Sequence, residues 1–255
     1  MTSGLDPGTP GRIQAVLLDI EGTTTSIQFV YQTLFPYARR HIGEFLERQS
    51  ASRIVQDAVR QLHQEWAADA HEQGHPPWSA ETQQDEAESA AAYCRWLIGR
   101  DRKSTPLKTL QGMIWESGYQ SGELRGHVYP DVPAAFERWK RKRKTISIFS
   151  SGSVLAQKLI FAHTDFGDLT PFLAAHFDTT TGAKREVASY RKIAAALSRA
   201  PREVLFLSDS VPELDAGRAA GMETALSARA ENPEPGPHDH RLIRSFEEVF
   251  PDSGS

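Results

Sequence analysis

The chain predicts an α/β protein, a parallel sheet with helices on both faces, interrupted after its first strand by an all-helical insertion. Short, nearly continuous apolar runs recur, and each is followed by a helix candidate, the alternation expected of a parallel sheet covered by helices. Residues 26–126 instead carry helical periodicity without a strand-like run. The residues able to do chemistry fall just beyond the apolar runs, where open sheets of this kind bind ligands.

The first strand is Ile13-Gln14-Ala15-Val16-Leu17-Leu18, ended by Asp19. The second is Thr145-Ile146-Ser147-Ile148-Phe149 before Ser150, and the third is Val204-Leu205-Phe206-Leu207-Ser208 before Asp209. Residues 153–163 form the helix after the second run. Residues 212–220 form the one after the third, with Pro212 early and Gly221 just past the end. Between them, residues 187–199 read as an amphipathic helix stopped by Pro201. In the insertion, helical stretches cover 34–68, 81–99 and roughly 106–119, broken at Gly74-His75-Pro76-Pro77. The expected division is a core of residues 1–25 and 127–255 around a helical domain of residues 26–126. Residues 230–240, with Pro233, Pro235 and Pro237, read as a surface loop, and 241–250 as a short closing helix.

Composition narrows the class. Of 255 residues, 39% are hydrophobic and 24% charged, the balance of a folded soluble protein. The net charge of −4 gives no general argument for nucleic acid or an anionic membrane as partner. A single cysteine, Cys94, excludes an intrachain disulfide and fits a reducing, cytoplasmic setting. No apolar run approaches a membrane span, and residues 1–11 lack the apolar stretch of a signal peptide.

Four signals carry chemistry. In Asp19-Ile20-Glu21-Gly22-Thr23-Thr24, two carboxylates spaced i, i+2 leave a strand end; one suits nucleophilic attack, the other proton exchange with a leaving group. Phe149-Ser150-Ser151-Gly152-Ser153 offers hydroxyls and backbone N–H groups opening a helix, an anion-binding arrangement or a plain N-cap. Lys184 follows a polar, glycine-bearing loop and suits phosphate as a point charge. Asp209 adds a carboxylate at a third strand end, completing an oxygen-rich site for Mg²⁺.

In order and context these signals resemble the four motifs of the haloacid dehalogenase superfamily. The resemblance implies a Rossmann-like, haloacid dehalogenase-type core with an all-helical cap between motifs one and two. Asp19 is then its nucleophile, Ser150 its motif-two hydroxyl, Lys184 its motif-three lysine and Asp209 its motif-four acid. Glu21 points to phosphoryl chemistry, because the dehalogenases lack an acid two residues beyond the nucleophile. Further strings resemble one family, the enolase-phosphatase of methionine salvage. They are Asp19-Ile-Glu-Gly-Thr-Thr-Thr25, Asp101-Arg-Lys-Ser-Thr105, Leu110-Gln-Gly112, Val128-Tyr-Pro-Asp-Val132, Phe149-Ser-Ser-Gly-Ser-Val154 and His176-Phe-Asp-Thr-Thr-Thr-Gly182. Ser208-Asp209-Ser210 departs from the superfamily in offering one carboxylate where many members have two, which puts Glu213, acting through water, forward as the second acid.

The family resemblance implies a bifunctional enzyme that enolises 2,3-diketo-5-methylthiopentyl-1-phosphate and then dephosphorylates it to an acireductone. One Mg²⁺ per chain is expected on Asp19, the Glu21 carbonyl and Asp209, with Ser150, Ser151 and Lys184 binding phosphate. Asp19 and Glu21 are the expected catalytic pair; the base for enolisation is either Glu21 or a cap residue. The alternative is a plain phosphatase of the superfamily acting on another small phosphate ester. A phosphate-sensing binding module is a third class, disfavoured because a binder needs no nucleophile–acid pair. The expected partner is a small phosphorylated molecule, with no nucleic acid or membrane, and the expected state is a monomer.

Other signals are weaker. His71-Glu72-Gln73-Gly74-His75 matches a zinc-protease pattern, but Gly74 and Pro76-Pro77 predict a helix end there, which takes His75 off the helix. His238-Asp239-His240 in the proline-rich tail is equally weak. The basic run Lys140-Arg141-Lys142-Arg143-Lys144 reads as a solvated turn between a helix and a strand. In the insertion, Arg102, Lys103, Ser104 and Lys108 are candidates for phosphate contacts, and Trp115 and Tyr119 for the methylthio end; surface charge and helix packing explain them equally well.

Overall fold

In the computed structural model, residues 13–252 are described; residues 1–11, read above as small and polar, lie outside them. The strands are β1 (Ala15–Leu18), β2 (Thr145–Phe149), β3 (Leu173–Phe177), β4 (Val204–Ser208), β5 (Glu223–Ser227) and β6 (Arg241–Ile243). They form one six-stranded sheet in the order β3-β2-β1-β4-β5-β6, with every pair parallel. The order places β1 in the middle with the chain leaving in opposite directions on either side, the switch point where doubly wound sheets bind ligands. Leu18 pairs with Ile148 of β2 and with Leu207 of β4, which brings the carboxyl ends of the three strands level.

The chain divides into two units: the described residues up to Phe29 with those from Arg125 on, and Val30–Leu124. In the first, α6 (Asp131–Arg141), α7 (Val154–Ala162), α8 (Val187–Ala196) and α9 (Val211–Ala219) accompany the sheet. Ala15, Leu17, Phe149, Val204 and Phe206 form one apolar layer with Tyr190 and Ile193 of α8 and Leu214 of α9. Val16, Leu18, Ile146, Ile148, Leu205 and Leu207 alternate to the opposite face and are equally buried. α6 packs on β2 and α7 on β3, with the rings of Phe136, Trp139, Phe161 and Phe246 clustered.

In the second unit, α2 (Phe35–Arg48), α3 (Arg53–Ala68), α4 (Gln83–Gly99) and α5 (Thr105–Ser121) follow a short α1 (Ile27–Phe29) and a π-helical turn at Val30–Leu34. No strand occurs among its described residues. α2 and α3 each pack on both α4 and α5, burying Ile42, Leu46, Leu62, Tyr93, Leu97 and Ile114. Cys94 is buried in this layer, and burial pushes its thiol well above the ordinary range, consistent with a packing role.

Three expectations are corrected. Residues 241–250 are not a helix: Leu242 and Ile243 pair with the open edge of β5, and only Phe246–Glu248 turns, as one 3-10 turn capped by Ser245. The five apolar positions there imitate a helical period, but an unpaired strand edge claims the first two. β3 and β5 carried no strand signal, because Leu-Ala-Ala-His-Phe is half-exposed and Glu-Thr-Ala-Leu-Ser is largely polar. The helical stretch 34–68 is two helices, broken at residues 49–52.

Candidate active site

Asp19 leaves β1 almost fully buried, 3% exposed. Its Oδ1 accepts a hydrogen bond from the Ile20 N–H at 2.7 Å and lies 2.6 Å from Lys184 Nζ. The chain then turns tightly. The N–H groups of Thr23, Thr24 and Thr25 all donate to the Ile20 carbonyl, and Gly22 N–H donates to Thr25 O. Gly22 sits at φ +69°, and a Cβ there would fall 2.2 Å from Asp209 Oδ2. The turn therefore needs glycine twice over, for its left-handed backbone and for the approach of the Asp209 carboxylate. Glu21 stands half-buried on the same turn.

At the end of β2, Ser153 is the N-cap of α7, accepting from Ala156 N–H. The plain N-cap reading of this motif thus belongs to Ser153, which leaves Ser150 and Ser151 outside the cap. Ser150 is buried; its N–H donates to Phe177 O and its Oγ accepts from Gly152 N–H at 3.1 Å. Gln157, wholly buried on α7, donates to the carbonyls of Gly152 and Phe177 and so ties this loop to β3.

Lys184 is brought in by the long loop after β3. Its carbonyl accepts from the Tyr190 hydroxyl at 2.6 Å, and the neighbouring Ala183 carbonyl accepts from Ser189. Its ammonium bridges Asp19 Oδ1 and Glu213 Oε2, each at 2.6 Å, with the lysine side chain only 10% exposed. Burial alone pushes the Lys184 pKa down, but the charges and hydrogen bonds of Asp19 and Glu213 outweigh it and hold the ammonium above its usual range. Asp209 is pushed up to about 7 by burial and then by the negative charge of Asp19. Glu213 is raised by the same two causes. The Ser208 hydroxyl lies 3.2 Å from Asp19 Oδ2 and 3.1 Å from Glu213 Oε2.

The geometry thus gathers Asp19, Lys184, Asp209 and Glu213, with Ser150 at the next strand end. Glu213, the candidate for a second acid acting on the metal through water, pairs with Lys184 from the first turn of α9. Sequence reasoning missed Ser227, Arg229 and Asn232, which hold the carbonyls of Gly22 and Thr23. Asn232 lies in the stretch 230–240 read as a surface loop. That stretch is irregular as expected, yet it also sends in His240, 6% exposed, to bond Asp215 and Thr224.

The weak signals resolve individually. α3 ends at Ala68, so His75 is off the helix and its Nε2 meets Trp66 O at 2.9 Å. Among the described residues, no three His, Cys, Asp or Glu side chains group as a metal-binding cluster. The basic run is not a solvated turn throughout. Lys142 and Arg141 pair with Asp252, Lys144 bonds Ile13 O, and Lys140 lies over the Phe172 ring. In the helical unit, Arg102 pairs with Asp69 and Ser104 caps α5. Lys103 lies 3.6 Å from Asp101 at the surface, and Lys108 is half-exposed on α5. Trp115 and Tyr119 are buried, with Trp115 Nε1 donating to Leu34 O.

Residues 13–221 match the haloacid dehalogenase-like hydrolase family. The chain is 49% identical to an enolase-phosphatase E1 of Synechococcus elongatus over 94% of its own length and 99% of the relative's. It is 44% identical to that of Azotobacter vinelandii, over 94% and 98%. Among solved structures, the UTR4 protein of Saccharomyces cerevisiae superposes with a TM-score of 0.74 at 32% identity, covering 92% of this chain and 99% of that one. CbbY of Rhodobacter sphaeroides shares the fold, with a TM-score of 0.55 at 17% identity over 95% of this chain and 98% of that one. The turn carrying Asp19 at the central strand, the buried Lys184 and Asp209 at the end of the next strand thus sit in a chain that belongs to the haloacid dehalogenase-like hydrolases and, within them, to the enolase-phosphatase E1 family.

Proposed function

We propose that this protein is a bifunctional enolase-phosphatase of methionine salvage. It converts 2,3-diketo-5-methylthiopentyl-1-phosphate to the acireductone 1,2-dihydroxy-3-keto-5-methylthiopentene. The observation that carries the phosphatase half is the buried Asp19 carboxylate held 2.6 Å from Lys184 at the end of the central strand, with Glu21 on the same turn. Enolase-phosphatase E1 relatives matching over nearly the whole chain support the substrate.

The residues fit one Mg²⁺. Asp19, Asp209 and the Glu21 carbonyl form a hard, oxygen-only donor set, and Asp209 is packed against the Gly22 backbone beside the charge of Asp19. When bound, the ion supplies charge neutralisation at the phosphoryl oxygens. Lys184, Ser150, Ser151 and the N–H groups opening α7 hold the phosphate in line with Asp19. An Asp19 oxygen forms a bond to phosphorus as the bond to the enol oxygen breaks, and Glu21 as an acid gives its proton to that oxygen. The Glu21 carboxylate then takes a proton from water, whose oxygen displaces Asp19 from phosphorus. Phosphate leaves, and both side chains return to their starting state. Before this, a base removes a proton from the carbon bearing the ester; Glu21 and the helical unit both supply candidates. That unit takes the role of cap domain. A cytoplasmic enzyme working as a monomer is part of this proposal; no helix among the described residues is long and apolar enough to cross a membrane.

The test is to supply the diketo phosphate with Mg²⁺ and follow enol absorbance and phosphate release separately. Enol formation is expected to precede release, and chelation by EDTA to abolish release. Phosphate release from generic esters, with no enol from the diketone, would leave a plain phosphatase. Glu21→Gln is expected to slow release by about 10²- to 10⁴-fold; unimpaired enol formation in that variant would remove Glu21 as the enolisation base.

A further inference from the structure

The string Val128-Tyr-Pro-Asp-Val132 marked the family, yet none of its residues has a part in the chemistry above. In the structure it meets the segment after β5 around one buried cation. Arg229 is 8% exposed. Its Nε and Nη2 both donate to the Thr23 carbonyl, at 3.0 and 2.8 Å, and its Nη1 donates to Asp131 Oδ2 at 2.7 Å. The guanidinium lies between the rings of Tyr129 and Phe246, 4.3 and 4.6 Å from their centroids. Asp131 Oδ2 is itself held by Ser245 Oγ and the Phe246 N–H. Tyr129 N–H takes the next carbonyl, Thr24 O, at 3.0 Å.

We propose that Arg229, locked by Asp131, is a positioning residue for the reaction: its fork on the Thr23 carbonyl sets the turn that carries Glu21 and places it against Asp19. This rests on the reading that the Asp19 turn does phosphoryl chemistry. The planar fork is the reason for arginine here. It places two N–H groups on one carbonyl while a third holds the carboxylate, and a lysine ammonium lacks that fixed geometry. Thr23 is two residues from Glu21, so loss of the fork shifts the acid rather than removing it, and misplacement of this order costs about 10²-fold in rate.

Arg138 provides the comparison. It is an equally buried arginine, 8% exposed, donating to the carbonyls of Phe246, Val249 and Phe250 with no bond to the Asp19 turn. Arg229→Lys and Arg138→Lys, made in the full chain, are assayed with the diketo phosphate and with p-nitrophenyl phosphate at saturating Mg²⁺. Arg229→Lys is expected to lower kcat by about 10- to 100-fold with KM within about threefold, and to speed amide hydrogen exchange at Thr23, Thr24 and Thr25. Arg138→Lys is expected to lower Tm while keeping kcat and that exchange. Equal kcat in the two variants, or unchanged exchange in the turn, would overturn the proposal. If Arg229→Lys does not fold, Asp131→Asn carries the same test with Arg229 intact. A wild-type protein inactive on both esters would sink the phosphatase reading, and the exchange measurement would still show whether Arg229 holds the turn.

Discussion

Gly22 shows how much of the site hangs on one missing Cβ. Its φ of +69° costs a non-glycine residue about 1–2 kcal/mol. The added methyl would also meet Asp209 Oδ2 at 2.2 Å, so Asp209 must move for alanine to fit. Gly22→Ala is therefore expected to lose about 1–2 kcal/mol of stability in denaturant unfolding and to raise the Mg²⁺ concentration needed for half-maximal phosphate release. Normal Mg²⁺ dependence in a folded Gly22→Ala protein would show that the close approach of Asp209 is not needed. Lys184 stood out in the sequence as a candidate phosphate-binding point charge, but its partners did not. The pairing with Glu213 depends on a loop after β3 meeting the first turn of α9, twenty-nine positions further along the chain. Nothing local in either segment announces that meeting.

The elements divide work among similar residues. Within Ser150-Ser151-Gly152-Ser153, α7 takes Ser153 as its N-cap, while Ser150 stays buried at the strand end. Ser153→Ala is expected to cost about 1 kcal/mol in unfolding experiments and to leave kcat within twofold. Ser150→Ala is expected to slow phosphate release by about 10²-fold, since the hydroxyl proposed to hold the phosphoryl group is lost. If Ser153→Ala proved the more damaging to turnover, the assignment of roles along this loop would be wrong. Strand signals were clear where both faces are apolar, as in β1, β2 and β4, and failed for β3 and β5. Toward the edges of the sheet, half-exposed or polar strands owe their state to pairing with a neighbour, which no local periodicity encodes.

At the scale of the molecule, the chain forms two units with separate cores, and the helical one carries a buried carboxylate network sensitive to acid. In the helical unit, Asp69 just beyond α3 accepts from Tyr93 on α4 at 2.7 Å and from Arg102 before α5 at 2.8 Å. Burial pushes the Asp69 pKa up, but those two hydrogen bonds outweigh it and hold the carboxyl below its ordinary value. A depressed carboxyl stabilises the fold above its unfolded pKa, and that contribution is lost as pH falls through the folded value. Asp69→Asn should therefore flatten the acid side of the thermal stability curve below about pH 4. An unchanged acid limb in Asp69→Asn would refute the role of this network.

The sequence by itself determined the α/β class, the helical insertion, and Asp19, Ser150 and Asp209 at strand ends, because apolar periodicity and turn chemistry are local properties of the chain. Only the tertiary structure decided the strand order, the pairing of residues 241–243 with β5, and the carriers of Lys184 and of the Asp19 turn. Glu213, Asp131 and Arg229 reach their partners across loops and crossovers. Their roles come from burial beside a particular charge or carbonyl, and burial is a property of the folded chain.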